Sequence, residues 1–214
     1  MTRHTLIALL LVSLLPTGAA AQVSFERLLR ADEEPENWLT YSGSYKSQRH
    51  SQLDQITPAN VTDLELRWVF QARSLEVFQA TPLVVDGIMY LVEPTNTVVA
   101  LDAKLGRVFW TYEYTPSRAA RPCCGAVNRG LGILDNTLFL ATVDATLIAL
   151  DATSGKPLWK TNVGDPDEGY ALTLAPLVVK DKVIVGSSGA ELGVRGVVTA
   201  FNVKTGEQEG RAYA

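Results

Sequence analysis

"VVALDAKLGRVFWTYEY" (Val98–Tyr114) and "LIALDATSGKPLWKTNV" (Leu147–Val163) are two copies of one pattern. Their Ala-Leu-Asp-Ala runs begin at Ala100 and Ala149, 49 residues apart, and Gly106/Gly155 and Trp110/Trp159 keep that spacing. A third copy, "VVTAFNVKTGEQEG" (Val197–Gly210), places Ala200 and Gly206 a further 51 residues on, but has Gly210 where the others have tryptophan. Self-similarity at this period marks a repeat architecture.

Each copy follows a hairpin-like pair of apolar runs. "TPLVVDGIMYLV" turns at Asp86-Gly87, "GLGILDNTLFLAT" at Asp135-Asn136 and "APLVVKDKVIVGSS" at Lys180-Asp181. Asp-Gly and related pairs supply the positive φ angles of two-residue hairpins, and the flanking Val, Ile, Leu and Tyr suit strands. One unit is then strand, tight turn, strand, loop, "VVALDA" strand, glycine turn and a strand carrying tryptophan. Asp102 and Asp151 are placed to accept turn N–H groups, and Gly106 and Gly155 to take the left-handed position. Trp110 and Trp159 can pack between sheets, each indole N–H needing a partner. The predicted fold is all-β: an incomplete β-propeller of about three four-stranded blades. The alternative is a β-sandwich with coincidental similarity. A ring needs roughly four to eight blades, and the stretch before Thr81 holds no clear blade. The expectation is the N-terminal part of a larger propeller, as a fragment, a truncated product or one piece of a split protein.

The 214 residues are 47% hydrophobic with a formal net charge of -4, a globular balance with no basic stripe for nucleic acid. His4 and His50 are the only histidines, too few for a histidine-built zinc site. Residues 1–21 read as a secretory signal peptide: Arg3, an apolar stretch from Thr5 to Leu15, then Ala19-Ala20-Ala21 before Gln22. The alternative is an uncleaved membrane anchor. Residues 22–214 form the expected mature domain, exported to an oxidising periplasm where disulfides persist.

Several stretches together resemble the quinoprotein alcohol dehydrogenases, enzymes of the periplasm that use pyrroloquinoline quinone and a calcium or lanthanide ion. They are "NWLTYSGSYKSQRHSQLDQITPANVTDLELRWVF" (Asn37–Phe70), "TPLVVDGIMY", "VVALDAKLGRVFWTY", "PCCGAVNRG" and "SSGAELGVRG". "PCCxxVNR" is the specific signal; "ALDAxxGxxxW" is shared with propellers that bind no cofactor. The resemblance implies a family ring of eight blades and assigns site residues. Cys123 and Cys124, the only cysteines, would close a disulfide that stacks as a flat plate on the quinone. Such a ring crosslinks almost no chain, so its purpose is not loop entropy; the alternative is two reduced, buried residues. Arg129 would fork onto a cofactor carboxylate, or alternatively onto a protein carboxylate. Val127 would line the pocket, and Thr173 would offer a hydroxyl or simply be a strand threonine. Ser188, Gly189 and Ala190 would contact the quinone, and Glu191 would ligate the metal, since Ca²⁺ prefers carboxylate oxygens. The alternative for Glu191 is a solvated loop residue. One position departs: where relatives usually carry glutamate there is Gln79, which brings no charge, and Glu76 is expected to face elsewhere.

The implied reaction is hydride transfer from a small primary alcohol to the quinone, with a metal Lewis acid, a carboxylate base and a c-type cytochrome as acceptor. No C-x-x-C-H occurs for an attached haem, and no G-x-G-x-x-G for a nicotinamide. The family's catalytic aspartate has no counterpart here, so no catalytic residue is assigned and the chain alone is expected to be inactive. A different class stays open: an exported, non-catalytic scaffold of the outer-membrane assembly type, which has no need of Cys123, Cys124, Arg129 or Glu191. A decaying gene remnant is the third possibility.

Overall fold

The computed structural model describes residues 23–94 and 96–214; the expected signal peptide lies outside them. Twelve strands form three antiparallel four-stranded sheets, each in simple chain order. The first blade is β1 (Leu83–Val85), β2 (Ile88–Glu93), β3 (Thr97–Asp102) and β4 (Val108–Tyr112). The second is β5 (Leu131–Leu134), β6 (Thr137–Ala141), β7 (Thr146–Asp151) and β8 (Pro157–Asn162). The third is β9 (Leu177–Val179), β10 (Lys182–Gly186), β11 (Val197–Asn202) and β12 (Gln208–Tyr213). The blades form an open arc of a propeller. Among the described residues no helix is long and apolar enough to cross a membrane.

The repeated residues do repeated work. Asp102 Oδ1 accepts from Lys104 N at 2.9 Å and Leu105 N at 3.0 Å; Asp151 Oδ1 accepts from Ser154 N at 2.8 Å. In the third copy Asn202 takes over, accepting from Lys204 N at 2.9 Å. The turn glycines have φ of 69°, 70° and 71° at Gly106, Gly155 and Gly206. Each blade also carries a register shift after its repeated alanine, at Ala100, Ala149 and Ala200. In the hairpins the first turn residue is left-handed in all three, at Asp86, Asp135 and Lys180, but only Gly87 follows it there. Only the first turn therefore has the two positive φ angles that Asp-Gly was expected to supply.

Tryptophans join one blade to the next. Trp110 lies so close to Gly155 that a Cβ there would meet its ring at 2.5 Å, and Trp159 meets Gly206 in the same way at 2.6 Å. Each indole donates to the neighbouring turn: Trp110 Nε1 to Ala152 O at 3.0 Å, Trp159 Nε1 to Val203 O at 3.1 Å. Trp68 takes the equivalent seat on Gly106, with a would-be contact of 2.6 Å. Leu64–Phe70 around it belongs to no sheet, yet Trp68 and Phe70 cover Leu91, Val99 and Leu101 of the first blade. So the stretch before Thr81 holds no blade, as expected, but does hold a docking tryptophan.

The main core runs through the second blade, whose Leu138, Phe139, Leu140, Leu147, Ile148 and Leu150 are wholly buried. The N-terminal segment packs against the first two blades. It starts with α1 (Phe25–Leu29), capped by Ser24, and bridges to the blades at Val23–Asp135 and Trp38–Val84. Arg27 ties it down by ion pairs to Glu34 and Asp86, both at 2.6 Å.

Candidate functional site

The eighteen residues between β4 and β5, 113–130, carry the cysteines. Ser117 opens a tight turn, its Oγ accepting from Ala119 N at 3.2 Å and its carbonyl from Ala120 N at 3.1 Å. Gly125, at φ 87°, reverses the chain just after Cys124. Asn128 then locks the exit: its Nδ2 donates to Ala141 O at 2.7 Å and Asn96 Oδ1 at 2.9 Å, and its Oδ1 accepts from Gly130 N at 2.8 Å. Asn128 is buried and was not singled out from sequence, although it stands inside the motif "VNR".

Cys123 and Cys124 are exposed free thiols, with Sγ atoms 2.6 Å apart. Both sulfurs therefore lie at the surface of the open arc, and the alternative of two buried thiols does not hold. The Cys124 sulfur first, and the Glu191 carboxylate second, push the Cys123 thiol up to about 11. Glu191 therefore stands beside the cysteine turn, although it belongs to the third blade. It sits in a short turn of 3₁₀ helix, Ala190–Leu192, and is exposed, as is Ala190. Gly189 begins that turn at φ 125°, where a Cβ would collide with the Gly169 carbonyl. Ser188 is joined to Ala171, its N–H donating at 2.8 Å and its hydroxyl at 3.1 Å.

Arg129 is half-buried and reaches across to Thr173, which lies in the irregular segment before the third blade rather than in a strand. Its Nη1 donates to Thr173 O at 2.9 Å and Thr173 Oγ1 at 3.0 Å, 44 residues away in sequence. Its remaining N–H groups have no protein acceptor and it joins no ion pair among the described residues. A guanidinium with a free fork in a half-buried setting suits an anionic carboxylate. Val127 is buried at the base of the same loop. Gln79 is exposed, two residues before Thr81, whose N–H donates to Arg129 O at 3.1 Å. Glu76 departs from expectation: its Oε2 lies 3.8 Å from where a Cβ on Gly125 would be, so it faces the cysteine turn. Sequence spacing could not show this, because residues 64–80 follow no strand periodicity.

The kinds of group present suit one side of a planar tricarboxylate: one loop carries a sulfur pair and a guanidinium with free N–H groups, and Thr173 and Glu191 reach that loop from the segments before and within the third blade. They do not by themselves complete a metal site. Among the described residues no three metal-ligating side chains cluster, and Ca²⁺ takes six to eight oxygens. A half-open groove of about 360 Å³, lined by Leu39, Tyr45, Leu131 and Val178, shares none of these site residues.

The profile of the PQQ family "Glucose/ethanol/alcohol dehydrogenase, beta-propeller domain" matches residues 38–210. The quinohemoprotein alcohol dehydrogenase ADH-IIG of Pseudomonas putida is 40% identical over 196 residues, which are 90% of this chain and 27% of that protein. The quinoprotein alcohol dehydrogenase PedH of Pseudomonas putida is 38% identical over 204 residues, 94% of this chain and 34% of that one. The solved structure of ADHIIG superposes with a TM-score of 0.87 at 40% identity, covering 91% of this chain and 29% of its own. A europium-containing methanol dehydrogenase gives 0.83 at 41% identity, covering 88% and 34%. The chain spans about a third of the length of these relatives or less. The matched blades, the docking tryptophans and the cysteine–arginine loop agree on one identity: this chain belongs to the PQQ-dependent glucose/ethanol/alcohol dehydrogenase β-propeller family.

Proposed function

We propose that this chain forms one wall of the quinone pocket of a PQQ- and metal-dependent periplasmic alcohol dehydrogenase. The observation that carries this reading is convergence. Arg129 meets Thr173 of the segment before the third blade, and Glu191 meets Cys123 from within that blade, so three separate stretches come together at the cysteine–arginine loop. Oxidised to a disulfide, Cys123 and Cys124 give a rigid, flat floor. Arg129, already oriented by Thr173, binds a carboxylate of the cofactor through its free N–H groups. Ser188 and Gly189 would offer backbone to the cofactor, Ala190 and Val127 would line the pocket with apolar surface, and Gln79 would donate or accept without adding charge. Glu191 contributes one oxygen to a calcium or lanthanide ion, the other ligands coming from outside these residues. When bound, the quinone supplies the two-electron oxidant for a primary alcohol, with electrons leaving to a c-type cytochrome.

No residue on this face is held as a general base. The wall is therefore expected to bind without turning over, and the remaining blades of the ring supply catalysis.

The test is calorimetric titration of pyrroloquinoline quinone into the chain with Ca²⁺. Binding is expected in the parent and at least about tenfold weaker in Arg129→Met, the weight of a lost charge-assisted pair. Equal binding by both proteins, or none by the parent with two free thiols, returns the chain to the exported-scaffold reading. Alcohol oxidation by the chain alone would overturn its role as a wall only.

A further inference from the structure

The turn between β6 and β7, Ala141–Thr146, fixes three parts of this face at once. It is tightly built: Thr142 N donates to Thr146 O at 2.9 Å, Ala145 N to Thr142 O at 3.0 Å, and Ala145 is left-handed at φ 57°. Its outward contacts reach the whole pocket wall. Ala141 O accepts from Asn128 Nδ2 at the exit of the cysteine loop. Thr142 O accepts from Leu172 N at 3.2 Å, one residue from the threonine that orients Arg129. Leu172 also follows Ala171, which bridges to Ser188.

The third contact is the most unusual. Asp144 is 7% exposed and joins no ion pair among the described residues. Its Oδ2 accepts from Tyr114 Oη at 2.8 Å and Ser117 N at 2.8 Å, and its Oδ1 from Thr142 Oγ1 at 2.5 Å. A carboxylate taken out of water is costly, and hydrogen bonds to the charged form are what hold it there. Two of those three donors belong to the entrance of the cysteine loop, and Ser117 then nucleates its first turn. A fold needing only a polar turn has no use for a buried charge aimed at a neighbouring loop. Lys160 Nζ lies over the Tyr114 ring at 5.1 Å and forms no ion pair with Asp144 among the described residues.

We propose that Asp144 is a positioning residue for the Cys123–Cys124 pair: by fixing Tyr114 and Ser117 it holds the loop entrance, as Asn128 holds the exit, so that the two sulfurs are presented together for closure. This rests on the proposed quinone wall, in which the pair works as a disulfide. Outside such a frame, adjacent cysteines have little reason to close, because the eight-membered ring strains the peptide between them.

The experiment equilibrates the chain in glutathione buffers and counts closed against open pairs by alkylation and mass spectrometry. The two thiols pass two electrons and two protons to one oxidised glutathione, which leaves as two reduced molecules while the Cys123–Cys124 bond forms. The parent is expected to close. Asp144→Asn should lower the equilibrium constant for closure roughly tenfold, as for loss of a charge-assisted hydrogen bond. Tyr114→Phe, which removes only one donor, should lower it by a smaller factor and serves where Asp144→Asn does not fold. Leu147→Ala, in the neighbouring strand, should weaken the fold to urea and leave the constant unchanged. A constant unmoved in Asp144→Asn or, should that variant not fold, in Tyr114→Phe, or moved equally by Leu147→Ala, overturns the positioning role while leaving the wall intact. A parent that never closes overturns both.

Discussion

The second and third blades are written in the same pattern and live in different surroundings. In the second, β6 and β7 are buried along almost their whole length; in the third, β10 and β11 alternate between buried and half-exposed or exposed residues, and β12 is exposed throughout. Phe139 faces Ala149 across β6–β7, and its ring lies 5.9 Å from that of Trp159. The matching position of the third blade is Ile184, opposite Ala200, and Gly210 occupies the tryptophan's register. The motif therefore determines the sheet, and the neighbouring blade determines how much of it is core. The tryptophan is the joint between the second blade and the third, and the third copy has Gly210 in that register.

If that difference is real, matched substitutions should separate the blades. Phe139→Ala empties a fully buried site and should cost about 3–5 kcal/mol in urea unfolding. Ile184→Ala, half-exposed, should cost about 1–2 kcal/mol in the same measurement; equal losses would break the comparison. At the joints, Gly155→Ala should cost about 1–3 kcal/mol, since it adds both a left-handed alanine and a clash with Trp110. Trp159→Phe keeps most of the apolar body but leaves Val203 O without its donor, and should cost about 1 kcal/mol.

The smallest expected effect contrasts ion pairs. Arg27 pulls the Glu34 and Asp86 carboxyls below the usual carboxylate range. A carboxyl whose folded value is depressed stabilises the fold above its unfolded value, near 4, and loses that contribution as pH falls through the folded one. Arg27→Met should therefore remove about 1 kcal/mol at neutral pH, after allowance for solvent screening, and flatten the acid limb of the stability profile. Lys182 likewise lowers the Asp181 and Glu209 carboxyls in the third blade, but closer to solvent, and Lys182→Met should change that limb less.

Much of this was legible because it is local. The Ala-Leu-Asp-Ala strand, its glycine turn and its tryptophan are set by spacing within a dozen residues, and the hairpins by two-residue turns. Trp68 escaped because its own sheet is not present beside it; only its seat on Gly106 reveals the kinship. Asp144 escaped because an aspartate in "TVDA" reads as an ordinary turn residue, and nothing in the spacing brings it to Tyr114 and Ser117. Asn128 was visible within "VNR" but its anchoring of the loop exit was not. Glu76 was assigned away from the site because an irregular segment gives no periodicity from which to judge direction. Gln79 lies two residues before Thr81, whose N–H reaches Arg129 O, and nothing in the structure explains its lack of charge.

The central claim is that the cysteine turn, Arg129 and Glu191 form one redox-cofactor wall with a disulfide as its floor. The most direct measurement is the intact mass of the unreduced chain recovered from the periplasm, after treatment with an alkylating reagent. The account predicts a mass lower by two hydrogens than the dithiol, with neither Cys123 nor Cys124 modified. Two alkylated thiols would contradict it.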